Sequence, residues 1–401
     1  MGAKWTFLVF MAGDNDLEGA GYDDIEEMKA FGSNKQVNIL VQFDNLKEQV
    51  TKRYFLEKDN ARCVQTIPET NTGDPVVLKG YITWAMAQYP ADHYLVDIWN
   101  HGGGWEDLPE GFDYDSLRRA PINHRRKVRE SIFLSTVKKV TTDPEHKRYI
   151  AVDVSARDFL DNLELKQALT FPNCKIDLVG FDACLMNMLE VAYEIKDCVN
   201  FVVGSEETEP GAGWAYNRVL ETLFTDPNIS PKDLAYAIVQ CYAENYPSER
   251  NVTQSALDLS RIKPVAAAAD ELGRLLIPQI PRICDTLSTI RNQVQYFTND
   301  NYVDLYDLAN LLLGSLDQVP IKKAAENVMK LISSDRGAGL VLHNFKSNDL
   351  AYAHGISLYF PRNKRTFAPN YDRLDFTRDY PNWYKFLTTY TSYSPLRGGR
   401  R

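Results

Sequence analysis

Short apolar runs of strand length alternate with amphipathic stretches through the first half of the chain. Residues 5–11 read as a strand, and residues 17–31 as an acidic helix with Ile25 and Met28 on its inner face. Residues 37–43 form a second strand. Asp74 and Pro75 then supply an N-cap and a first-turn residue for a helix carrying Trp84 and Tyr89. Residues 94–99, 176–181 and 201–204 add three more strands. This alternation predicts an α/β fold, a mostly parallel central sheet with helices on both faces. Ser155 is expected to cap a helix reaching about Leu169, and Ser230, Pro231 and Asp233 to open another that contains Cys241. After Ser255 the pattern changes: one strand over 255–260, a helix-rich stretch over 263–334, and strand-like segments at 339–343 and 355–360. The reading is one domain over 1–260 and a helix-rich C-terminal subdomain over 261–401 that contributes late strands to the sheet.

The residues that follow each strand carry the chemistry. They are G-D-N-D at 13–16, D-N at 44–45, N-H-G-G-G at 100–104, D-A-C at 182–184 and S-E-E-T-E at 205–209. In open sheets of parallel strands ligands bind beyond the carboxyl ends, so five polar clusters in succession point to a single rim. Cys184 falls between an apolar strand and residues at helical spacing (Leu185, Met188, Leu189, Ala192 and Ile195). A sulfur at the start of a helix is favoured as thiolate by free N–H groups and the helix dipole. Asp182, two residues earlier, should project to the same side. A small buried cysteine would read the same way locally. His101 is the natural partner, because the glycines behind it let backbone N–H groups approach a developing oxyanion.

Composition narrows the class. The 401 residues, 44% of them hydrophobic, are enough for a large core. A net charge of −9 spread along the chain argues against a nucleic-acid surface, and no apolar run is long enough to span a membrane. The start, M-G-A-K, leads straight into a strand, so no secretory signal is read in this chain. Cys63, Cys174, Cys184, Cys198, Cys241 and Cys284 are too scattered for a disulfide scaffold or a zinc site.

N-H-G-G-G at 100–104, F-D-A-C-L-M at 181–186 and S-E-E-T-E-P-G-A-G-W at 205–214 together resemble the clostripain family of cysteine peptidases, in the caspase-like group. A-H-G-I-S-L-Y-F-P at 353–361 resembles a late strand of that family. The resemblance implies a caspase-like α/β/α sandwich and an endopeptidase that cuts after arginine or lysine through a Cys–His dyad. It implies Cys184 as nucleophile, His101 as general acid, and backbone N–H groups near Gly102 or Gly103 and of Cys184 as oxyanion hole. Asp182 would sit at the base of the S1 pocket, with Asn15, Glu206 and Glu207 as candidates for its rim.

Residues 118–148 hold ten Lys or Arg against three acids, a local charge of +7 that leaves −16 for the remainder. A basic stretch of this kind, within a loop over about 107–150 between histidine and cysteine, is expected to be a self-cleavage substrate for such an enzyme, the alternative being a charged loop. Lys147 or Arg148 are the favoured sites, with Arg126, Lys127 and Lys139 as alternatives. Protein or peptide substrates with a basic P1 residue are the expected partners of a monomer or self-cleaved two-chain form. No cofactor is required by this chemistry and no metal ligands are assigned. Some relatives use calcium, and the acids at 14, 16, 206, 207 and 209 leave Ca2+ open. A secreted or cell-envelope setting in a bacterium fits the family. The rival readings are an inactive caspase-like binding protein and a cysteine transpeptidase on the same fold.

Overall fold

The computed structural model describes residues 2–105, 114–115, 150–172, 174–333 and 339–393. In chain order the strands are β1 (Ala3–Gly13), β2 (Val37–Asn45), β3 (Val50–Glu57), β4 (Asn60–Pro68), β5 (Ala91–Trp99), β6 (Ile150–Asp153), β7 (Asp158–Leu160), β8 (Ile176–Asp182), β9 (Val199–Gly204), β10 (Thr253–Asp258), β11 (Tyr302–Asp304), β12 (Val341–Lys346) and β13 (Ser357–Tyr359). Nine of them form one sheet in the order β12-β10-β9-β8-β5-β1-β2-β3-β4. The five inner strands, from β9 to β2, run parallel, and antiparallel pairs flank them on both sides.

Alternation along β1 shows why the sheet is covered twice. Trp5, Phe7, Val9 and Met11 join one buried cluster, while Leu8, Phe10 and Ala12 join the other. Helices Glu18–Lys29, Tyr216–Thr225 and Pro231–Asn245 supply the first layer. Helices Pro75–Gln88, Asn162–Leu169, Leu189–Ile195 and Ile262–Leu276 supply the second. The result is an α/β/α sandwich, as the fold class read from the sequence requires. The later helices, Ile280–Gln293, Leu305–Ser315, Val319–Ile332 and Pro381–Tyr393, extend that second core without interruption.

Several local expectations need correction. The β3–β4 hairpin, invisible to the pattern reading, closes the sheet edge with mostly exposed polar residues, and its turn places Asp59 at φ +59°. Of the two late strand-like segments, β12 joins the main sheet beside β10, whereas β13 pairs with β11 in a separate small sheet. Ser155 does not cap a helix: residues around it belong to the β6–β7 pair. The helix starts at Asn162, where the Asp161 carboxylate accepts from Glu164 N at 2.7 Å and Glu164 accepts from Asp161 N at 3.0 Å. That reciprocal pairing satisfies two otherwise orphaned donors. Asp74 and Ser230 do cap the helices assigned to them.

Loss of the Asp161 cap has a defined cost. Asp161→Ala should lower unfolding stability by about 1 kcal/mol in denaturant titration; an unchanged midpoint would show that the helix does not depend on the cap.

Candidate active site

The site follows from one register. β5 and β8 pair in parallel with Trp99 opposite Asp182, so His101 and Cys184 each lie two residues beyond a paired position. The glycine after the histidine packs directly on the cysteine. A Cβ on Gly102 would stand 2.3 Å from Cys184 O and 3.0 Å from Cys184 N. No side chain fits there. Gly104 is at φ +79°, and a Cβ on it would meet Met188 Sδ and Tyr302 at 2.6 Å. Gly103 O accepts from the Tyr302 hydroxyl at 2.8 Å.

Asn100 fixes the approach to the histidine. Its Oδ1 accepts from His101 N at 2.6 Å and Val152 N at 3.1 Å, its amide donates to Ala12 O, and its own N donates to Asp182 O at 3.3 Å. One residue, through its side chain and its backbone N–H, thereby joins the ends of β1, β5, β6 and β8. The buried imidazole is held in turn by Asp16, whose Oδ1 lies 2.8 Å from Nε2. A carboxylate in that position orients the ring and fixes its tautomer.

Cys184 does not begin a helix. Residues 183–188 form a turn with Leu185 at φ +63°, and the helix starts only at Leu189. The dipole expected to lower the thiol pKa is therefore not adjacent. Residues 205–209 lie over this turn instead: Leu185 N donates to Glu207 O at 3.0 Å, Asn187 N to Ser205 O at 2.9 Å, and Glu209 N to Cys184 Sγ at 3.2 Å. Burial pushes the Cys184 thiol well above its ordinary value, with the Glu209, Glu207 and Asp182 charges adding to it and the Glu209 N–H opposing. The sulfur in this conformation is a covered thiol.

Beside it lies an acidic cavity lined by Trp99, Asn100, Asp182, Ala183, Glu209 and Gly213. At about 20 Å³ it has room for a water molecule and not for a lysine or arginine side chain. Gly213 sits at φ +58°, and a Cβ there would lie 2.5 Å from Asp182 Oδ2. Asp182 Oδ2 accepts from Trp214 N at 3.1 Å. The Tyr216 hydroxyl lies 2.8 Å from that oxygen and 2.7 Å from Asp97 Oδ2. A phenol brings one proton, so one of the two carboxyls must supply the second. Burial raises all three acids, Asp97, Asp182 and Glu209; the charge of Asp182 adds to the effect at Asp97 and Glu209, while a hydrogen bond from Glu209 opposes it at Asp182. Burial thus favours the protonated form of each.

The other candidates are committed elsewhere. Asn15 spends its amide on Ala12 O and Val152 O, both at 2.9 Å, and its Oδ1 on Leu17 N. Glu206 accepts from Gly355 N at 2.8 Å. Glu207 accepts from Thr208 N and Thr298 N, and burial raises its carboxyl to about 7. Lys147, Arg148, Arg126, Lys127 and Lys139 lie outside the described residues. Three further residues escaped the sequence reading of the site: Asp16 as the histidine's partner, and Glu209 and Asp97 beside Asp182. Asp97 had a signal, an acid within the apolar strand L-V-D-I-W. Glu209 and Asp16 sat in acidic clusters whose members only the backbone path could tell apart.

A family model described as the clostripain family matches residues 9–117 and 137–391. Clostripain of Hathewaya histolytica is 24% identical over 394 residues, which is 89% of this chain; the chain spans 63% of that relative's length. A secreted C11 cysteine protease from Bacteroides thetaiotaomicron, solved with an irreversible peptide inhibitor, superposes with a TM-score of 0.62 at 22% identity over 96% of this chain and 99% of the other. An inactive zymogen C11 protease from Parabacteroides distasonis gives 0.65 at 20% identity over 95% and 99%. At these identities the two structures establish likeness of fold.

Two measurements check this geometry. Iodoacetamide labelling at pH 7, followed by peptide mapping, should modify the exposed Cys63 and Cys174 well before Cys184; equal rates would mean the sulfur is not covered. Glu207 binds its proton more tightly folded than unfolded, so it weakens the fold as pH rises from about 5 through about 7. Thermal midpoints of Glu207→Gln should accordingly fall less than wild type between pH 5 and pH 8. A parallel fall in both proteins would place the proton elsewhere.

Proposed function

We propose, from the premise that the chain belongs to the clostripain family, that it is a cysteine endopeptidase cutting after arginine or lysine. Cys184 attacks the scissile carbonyl as thiolate, and His101, oriented by Asp16, protonates the leaving amine. N–H groups at Gly102 or Gly103 and at Cys184 face the oxyanion. Asp182 meets the basic P1 side chain, with Glu209 as a second carboxyl on the same cavity wall. The single observation that supports this reading is the parallel register that ends β5 and β8 at the Trp99–Asp182 pair, two residues short of His101 and Cys184, with Gly102 packed on the Cys184 backbone.

The closed thiol and the narrow cavity are the features of a form that must open before it works. Maturation by self-cleavage in the basic stretch, at Lys147 or Arg148 in preference to Arg126, Lys127 or Lys139, is part of the proposal. So is a secreted or envelope setting, supported by the description of the Bacteroides relative as secreted. Among the described residues no helix is long and apolar enough to cross a membrane.

A P1-varied peptide library tests the whole. Wild type should turn over Arg and Lys peptides, and Cys184→Ala should turn over none and stay a single chain in mass spectrometry. Asp182→Asn should lose about 2 kcal/mol or more of discrimination for basic P1, roughly thirtyfold in kcat/KM. Activity retained in Cys184→Ala, or indifference of wild type to P1 charge, would overturn the proposal. Added amine nucleophiles appearing in the product would favour transpeptidation, and no turnover at all a binding role.

A further inference from the structure

The C-terminal subdomain holds none of the reacting groups, yet a small sheet within it borders all three loops of the site. β11 and β13 pair antiparallel, with Tyr302 opposite Tyr359. Ser357 of β13 donates its N–H to Asn187 O at 3.0 Å and bridges Met188, so this strand lines the turn that carries Cys184. Gly355 N donates to Glu206 at 2.8 Å and Thr298 N to Glu207 at 2.9 Å, which seats the segment over 205–209. The third contact is to the glycines after His101. The hydroxyl of Tyr302, a fully buried residue, donates to Gly103 O at 2.8 Å.

A run of three glycines is a poor platform for oriented donors unless other groups fix it. Gly102 forms an isolated bridge with Ile150 and sits on the Cys184 backbone, where a Cβ would come within 2.3 Å of Cys184 O. Gly104, at φ +79°, lies so close to Met188 Sδ and the Tyr302 ring that a Cβ would stand 2.6 Å from each. Beyond it the buried Trp105 packs edge-on against Tyr359 and Tyr371, with ring centroids 4.9 and 4.6 Å away. Gly103, between them, is fixed through the Tyr302 hydroxyl. Peptide units are planar, so a bond at Gly103 O sets the plane after that residue, while the contacts of Gly102 set the plane that contains the Gly103 N–H. With both planes set, the direction of that N–H is set.

We infer that Tyr302 is a positioning residue for the oxyanion site, acting through the Gly103 carbonyl. The inference rests on the peptidase reading and names a residue for it outside the three catalytic loops. In that reaction the Cys184 sulfur bonds to the scissile carbonyl carbon and the π pair moves onto oxygen. Collapse of the adduct restores the carbonyl and expels the amine, which takes its proton from His101. The oxygen is charged only in between, so a donor aimed in advance stabilises that state more than it stabilises bound substrate. Tyr302 governs where the negative charge settles and leaves the supply of electrons by the sulfur untouched.

The test compares full-chain Tyr302→Phe with wild type at matched extents of chain cleavage, judged by mass spectrometry. For an Arg peptide, kcat should fall about thirtyfold while KM changes less than about twofold. Affinity for a peptide aldehyde with Arg at P1, whose adduct places an oxygen at the same site, should weaken by a similar factor. Alkylation of Cys184 by iodoacetamide, which displaces iodide and forms no oxyanion, should keep its wild-type rate. General loosening of the site would instead change KM and alkylation together with kcat, and that outcome overturns the inference. So does an unchanged kcat or undiminished aldehyde affinity in an otherwise active enzyme. A variant that fails to fold would assign the hydroxyl to the fold and overturn it too. Wild type that neither cleaves the peptide nor binds the aldehyde would sink the peptidase reading itself, a result distinct from any of these.

Discussion

The pairing of Trp99 with Asp182 is the constraint on which the rest of the molecule depends. Side chains alternate along a strand, so a slip of one residue between β5 and β8 would turn every group past the pair to the opposite face. Gly102 would leave its seat on the Cys184 backbone, and Asp182 would leave its cavity. The two cores prevent the slip, because both strands are buried on both faces and neither side tolerates a polar residue out of place. Gly180 shows how tight the fit is. A Cβ there would stand 2.6 Å from the Trp214 ring and 2.9 Å from Asp97 Oδ1. The indole that closes one face of β8 also roofs the acids.

Electrostatics then keep the site in a resting form. The thiol is covered and burial favours its neutral form, while Tyr216 bridges Asp97 and Asp182, whose ionisation burial disfavours. A cationic side chain entering that pocket would reverse the balance, favouring ionised carboxylates where burial alone disfavours them. Under the proposed specificity, substrate charge and the protonation of Asp182, Glu209 and Asp97 would be linked. The segment over 205–209 connects the two halves of the site, since it supplies the N–H on the sulfur and the second acid of the cavity.

Much of this was legible in the chain. Continuous apolar runs such as residues 5–11 and 176–181 could only be inner parallel strands, and the polar groups following them had to gather on one edge. What escaped did so for physical reasons. The β3–β4 hairpin carries half-polar strands at an edge, where the alternating pattern fades. Apolar spacing continued past Cys184 through residues that form a turn, because burial demands hydrophobic residues in a buried turn as much as in a helix. Ser155 looked like a cap, yet the Asp-x-x-Glu at 161–164 was the stronger signal. Acid clusters announced a charged rim without sorting its members: Asp14 turned from the histidine while Asp16 met it, and Glu207 turned from the cavity while Glu209 lined it.

The most direct test traps the nucleophile. Wild-type protein is incubated with an irreversible peptidyl ketone bearing arginine or lysine at P1, and the adduct is mapped by peptide mass spectrometry. A single adduct on Cys184, lost in His101→Ala and absent with a neutral P1, is the expected result. Modification of another cysteine, or equal labelling by a neutral analogue, would contradict the proposed convergence of sulfur, imidazole and buried acid at one sheet edge.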